Sequence, residues 1–244
     1  MTKAAKFDPS KALEKAWSKF YKGDFDAALE QFEDILEQDE NHPEVLYGRA
    51  CALFRTQENE GALRDLNALL KASASDARAL HTRALVFGNE EKYKEAVRDL
   101  EKVVSLQPDS VEAWCDLGGA YLMKKDYERA GDCFDKCIDL DKACPEAWFG
   151  KGMVALEKKE AKKAIEFFNA AIKLDGKFLL ALLARAEAYF LFKQKEDAHK
   201  DLARAVALEP DIFRNEVEDD ADERDDYDSD DEDSIDEDQD LDTF

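Results

Sequence analysis

Alanine recurs along the chain at Ala28, Ala62, Ala96, Ala130, Ala164 and Ala198, a spacing of 34 residues held without a slip. Four residues after each stands a large apolar side chain: Phe32, Leu66, Leu100, Phe134, Phe168, Leu202. Seven and eight residues after come further small or aliphatic side chains, from Ile35 and Leu36 in the first unit to Ala205 and Val206 in the last. Offsets of 0, 4, 7 and 8 trace one face of an α-helix. Twelve residues before each alanine is a small residue (Ala16, Ala50, Ala84, Gly118, Gly152, Ala186) that lets a second helix approach closely. Between units lie Pro43, Pro108, Pro145 and Pro210, which a helix interior rejects. The pattern predicts six helical hairpins over residues 9–42, 43–76, 77–110, 111–144, 145–178 and 179–212. Alternation of the kind a strand needs appears nowhere at useful length. A single hairpin cannot bury its own apolar face, so neighbours must stack into an all-α solenoid.

A second regularity links the two helices of a hairpin. Where the residue before the small first-helix position is arginine (Arg49, Arg83, Arg185), the residue three after the repeating alanine is aspartate (Asp65, Asp99, Asp201). The other units have Gln31, Cys133 or Phe167 there. Paired presence and paired absence predict an ion pair within each of those three hairpins.

Charge divides the chain in two. The net charge is −23, yet residues 211–244 alone hold 19 acids against Arg214 and Arg224. A nearly balanced body over residues 9–212, preceded by an extension of residues 1–8, is therefore expected to carry an acidic, disordered tail over 213–244, where self-repulsion and few apolar residues cannot offset ordering entropy. Ile212, Phe213 and Val217 are read as a short capping turn. Ser229 and Ser234 each precede an acid by three residues (Glu232, Glu237), the context of acid-directed phosphorylation. This balance disfavours direct binding to nucleic acid or anionic membrane. The longest strongly apolar stretch, Phe178 to Ala184, is far short of a spanning helix, and Met1 to Phe7 lacks an apolar signal core. With five cysteines, an odd number, the reading is a soluble monomer with reduced thiols, cytoplasmic or also nuclear.

The fourth unit shows what the repeat resembles. Trp114, Leu117, Gly118, Tyr121, Ala130 and Phe134 match the signature of the tetratricopeptide repeat (TPR) family in type and spacing, and Pro108 and Pro210 match its closing proline. Departures are Ala155 and Asn59, each where an aromatic is usual. The resemblance implies a right-handed TPR superhelix whose concave side is lined by the second, fifth, sixth and ninth positions of each unit. Those positions form an apolar and aromatic trough with an acidic rim, and the partner-binding candidates are Trp17, Tyr47, Arg78, His81, Cys115, Phe149 and Met153. The lysine, asparagine and arginine clamp by which some family members hold a chaperone's terminal carboxylate is not matched: Arg78 is followed by Thr82 where arginine is required.

No residue set is assigned as catalytic, cofactor-binding or metal-ligating, and the chain is not read as an enzyme. Gly150 to Ala155 imitates a dinucleotide fingerprint but falls inside a helix. Cys115, Cys133, Cys137 and Cys144 lack the tight spacing of a zinc knuckle. The expected function is an adaptor or escort whose groove takes a client peptide or helix with apolar anchors and basic charge. The tail either screens or holds a basic client of histone or ribosomal-protein type, or only solubilises. A heat-shock co-chaperone and a passive assembly scaffold are the alternatives.

Overall fold

The structure, a computed structural model, describes residues 9–210. Twelve helices fill that span: α1 (Pro9–Tyr21), α2 (Phe25–Leu36), α3 (Pro43–Arg55), α4 (Asn59–Ala72), α5 (Ala77–Asn89), α6 (Tyr93–Leu106), α7 (Val111–Met123), α8 (Tyr127–Leu140), α9 (Pro145–Glu157), α10 (Ala161–Leu174), α11 (Leu179–Leu191) and α12 (Lys195–Leu208). No strand occurs among the described residues. The acidic tail, the capping turn at Ile212, Phe213 and Val217, and Ser229 and Ser234 lie outside them.

Each odd helix packs antiparallel on its even successor, and each even helix packs on the odd one that follows. The start and stop chemistry is local. Pro43 and Pro145 occupy the first positions of α3 and α9, where the missing N–H costs nothing. The Asp76 carboxylate caps α5 by accepting from the backbone N–H groups of Arg78 and Ala79, and the Ser110 hydroxyl caps α7 by accepting from that of Ala113. Every turn inside a hairpin passes through one left-handed residue: Gly23, Gln57, Glu91, Lys125, Lys159 and Lys193, with φ between 57° and 78°. That kink lets the next N–H close back on the helix end, as Asp126 N–H does on the Tyr121 carbonyl at 2.8 Å.

The six repeating alanines are all at most 1% exposed, which is why no larger side chain recurs there. Small residues likewise make room for rings. Phe134 lies against both Gly118 and Gly150, Phe168 against Gly152, and Phe32 against Gly48; a Cβ at any of these glycines would collide with the ring. Units with leucine in place of the ring (Leu66, Leu100) carry Thr82 and Asp116 opposite, so volume is traded across the joint between hairpins.

All three arginine–aspartate pairs form. Arg49, Arg83 and Arg185 each donate twice to Asp65, Asp99 and Asp201, at 2.5–2.8 Å. Two of them reach further. Arg83 Nη1 also donates to Asn67 Oδ1 at 2.7 Å and Arg185 Nη1 to Asn169 Oδ1 at 2.5 Å, so one guanidinium fastens three consecutive helices. The aspartates are buried, and their bidentate partners remove an otherwise large desolvation cost.

Consecutive odd helices also touch one another, α1 on α3, α3 on α5, α7 on α9 and α9 on α11, whereas even helices make no comparable contact. The stack therefore curves toward its odd helices, which line the inner face.

Candidate functional site

The inner face holds an apolar cavity, about 520 Å³, where α7, α8 and α9 meet. Val111, Cys115, Gly119 and Leu122 line it from α7, and Phe149 and Gly150 from α9. Phe134 of α8 reaches it as well, since Gly150 has no side chain to cover the ring. Phe149 is set by aromatic neighbours, its centroid 5.8 Å from that of Phe168 and 5.2 Å from that of Phe178. Glu112, Asp116 and Glu146 complete the lining with three carboxylates. Apolar surface in an open cavity with polar groups around it is the usual form of a ligand or peptide pocket.

Other sequence candidates fall into separate groups. Trp17, Tyr47 and Arg78 make a continuous run across α1, α3 and α5: the Trp17 and Tyr47 rings lie 6.3 Å apart, and the Arg78 guanidinium sits 4.9 Å from the Tyr47 centroid. Burial pushes the Tyr47 phenol up to about 12. Arg78 is already engaged by Glu44 at 2.9 Å and Asp76 at 3.4 Å, which leaves it a poor receptor for an incoming carboxylate. Met153 stands one turn after Phe149 on α9 and packs against the same core cluster. It lines a different cleft of about 540 Å³ with Leu156, Glu187 and Leu191.

His81 joins α5 to α7, its Nε2 lying 2.5 Å from Asp116 Oδ2, and that hydrogen bond raises the imidazole pKa above its ordinary value. In the pocket wall, which Cys144 also lines, the Cys115 sulfur contacts those of Cys137 at 3.0 Å and Cys144 at 3.8 Å. Contact with Cys137, then burial, holds the Cys115 thiol far above the usual range, and burial lifts Cys144 to about 12. Cys115 and Cys144 are therefore weak nucleophiles, since the thiolate is the reactive form.

A further cleft, about 610 Å³, is polar and belongs to α2, α3 and α4. It opens beside Asn59, which stands where Phe25, Tyr93 and Tyr127 place rings in other hairpins, and Asn59 Oδ1 is buried there without a partner. The cleft is lined from α2, α3 and α4 and shares no residue with the 520 Å³ cavity. Sequence reasoning put Cys115 and Phe149 on one surface, and they share the same cavity. It missed Phe134 as floor, although a glycine six places into the next unit, opposite a phenylalanine, was the available signal.

Among the described residues no helix is long and apolar enough to cross a membrane. The tetratricopeptide repeat family model matches residues 13–77, 81–143 and 132–177, together well over half of the chain. No curated protein matches the chain. Solved structures similar to it include MamA from residue 41 to its end from Desulfovibrio magneticus RS-1 (TM-score 0.65, 24% identity, 71% of this chain and 99% of that one). Another is pilF of Pseudomonas aeruginosa (TM-score 0.70, 17% identity, 87% and 97%). A third is YrrB, described as a TPR protein with an unusual peptide-binding site (TM-score 0.56, 22% identity, 78% and 97%). At such identities these likenesses speak to the fold alone.

Proposed function

The chain belongs to the tetratricopeptide repeat family, and from that premise we propose that it is a protein-interaction adaptor, without catalysis of its own, whose inner face holds a peptide or helix carrying apolar anchors and basic side chains. The observation that carries this reading is the cavity between α7 and α9. Its walls are apolar and aromatic, while Glu112, Asp116 and Glu146 supply negative charge that no lysine or arginine among the described residues pairs with. An apolar anchor gains by leaving water there, and a neighbouring lysine or arginine is steered and oriented by the carboxylates. Trp17 and Tyr47 extend the same face toward α1, and Phe149 belongs to the anchor pocket itself; the six-unit division over residues 9–212 is the frame for these assignments. The acidic stretch over residues 213–244 screens or holds the positive charge of the same client, a role that its charge of sequence supports.

Selection from a random peptide library tests the reading. The full-length protein is expected to enrich peptides with one or two large apolar residues flanked by lysine or arginine. Binding should weaken roughly tenfold in the Glu112→Lys/Glu146→Lys variant and at raised salt. Enrichment of acidic peptides, or binding indifferent to charge reversal, overturns it. A full-length variant with the acids of residues 216–240 changed to asparagine and glutamine reports on the tail: unchanged affinity for a basic client removes that part.

A further inference from the structure

We propose that His81, Glu112 and Asp116 form a site for a divalent transition-metal cation of the zinc class on the inner face. One imidazole nitrogen and one oxygen from each carboxylate lie within 4.8 Å of one another, and no other set of three such donors among the described residues is so placed. The arrangement comes from two hairpins. Glu112 and Asp116 are four residues apart on α7 and so share a face, while His81 projects from α5 and meets Asp116 at 2.5 Å. Metal–ligand bonds of about 2.0–2.2 Å put neighbouring donors about 3.0–3.5 Å apart, against a separation of at most 4.8 Å between these donors.

Charge and donor type narrow the ligand. Among the described residues neither carboxylate pairs with a lysine or arginine, and Arg78, the base on the adjacent α5 turn, is held by Glu44 and Asp76. Two carboxylates thus face a single imidazole. Carboxylates alone suit magnesium or calcium, but an imidazole nitrogen in the set favours zinc, cobalt or nickel. Glu112 and Asp116 also line the 520 Å³ cavity, so the coordination positions not filled by the protein open onto the groove, as at zinc sites with three protein ligands. Sequence spacing conceals this set, because His81 and Asp116 are brought together only by the stacking of two hairpins.

One consequence rests on the adaptor reading: cation and basic client use the same two carboxylates, so each weakens the other. The site itself is tested without any client. Cobalt(II), a spectroscopic stand-in for zinc, is titrated into chelator-stripped full-length protein. The expected result is one equivalent bound, with visible d–d bands and no near-ultraviolet sulfur-to-cobalt charge-transfer band. Glu112→Gln, at an exposed position that leaves the fold intact, and His81→Ala should each weaken binding about tenfold or more, while Cys115→Ser leaves it unchanged. Absence of stoichiometric cobalt, a thiolate charge-transfer band, or wild-type affinity in Glu112→Gln overturns the site. A failed peptide selection leaves the cobalt titration unaffected, so the two readings fail separately.

Discussion

The ring of Phe134 rests directly on the backbone of Gly150, so close that a methyl group at Gly150 would overlap the ring. The contact joins two hairpins and at the same time gives the inner-face cavity its floor. Adding one carbon there must displace the ring or the helix. Gly150→Ala is expected to cost about 1–3 kcal/mol by overpacking. In a double-mutant cycle Phe134→Leu should recover part of that loss, because Leu100 already tolerates a side chain at the matching position, Asp116. Chemical denaturation of the four proteins checks this; additive effects contradict it.

Arg83 and Asp99 offer a second cycle. Asp99 is buried, and its two oxygens accept from Arg83 Nε and Nη2 at 2.7 and 2.8 Å. Arg83→Ala strands a buried carboxylate and also frees Asn67, so a loss of about 3–5 kcal/mol is expected. The exchange Arg83→Asp with Asp99→Arg should cost less than Arg83→Ala, measured by thermal or urea unfolding.

Glu91 sits at φ 57°, in the left-handed region where Gly23 serves the first hairpin at 78°. Its Cβ makes that conformation unfavourable. Glu91→Gly is expected to leave stability unchanged or raise it by up to about 1 kcal/mol, whereas glycine in a helix interior costs about that much. A lowered melting temperature would count against the turn geometry.

Asn59 leaves a buried oxygen unpaired beside an open cleft. Asn59→Tyr, which copies Tyr93 and Tyr127, should fill the cleft and stabilise by about 0.5–2 kcal/mol. Differential scanning calorimetry reads the shift directly.

Tyr47 gives a pH prediction. Its phenol holds a proton more tightly in the folded chain, up to about 12 against an ordinary 10.0. The stability tied to the neutral phenol is therefore complete below pH 10 and drains away as pH rises toward 12. Wild type should lose stability relative to Tyr47→Phe across that window. Parallel melting curves of the two proteins at every pH would refute it.

What the sequence determined by itself was the period, the paired helices and the arginine–aspartate ties within a hairpin. Helix geometry is set by hydrogen bonds four residues apart, so a buried face prints itself as Ala28, Phe32, Ile35 and Leu36, and Arg83 finds Asp99 across one short turn. The tertiary structure alone decided what meets between hairpins: the reach of Arg83 to Asn67, the meeting of His81 with Asp116, and the exposure of Phe134 through Gly150. Those outcomes depend on the rotation from one hairpin to the next. That rotation is set by side-chain volumes packed across the joint, a ring against a glycine or a leucine against a threonine, and no local spacing encodes the sum.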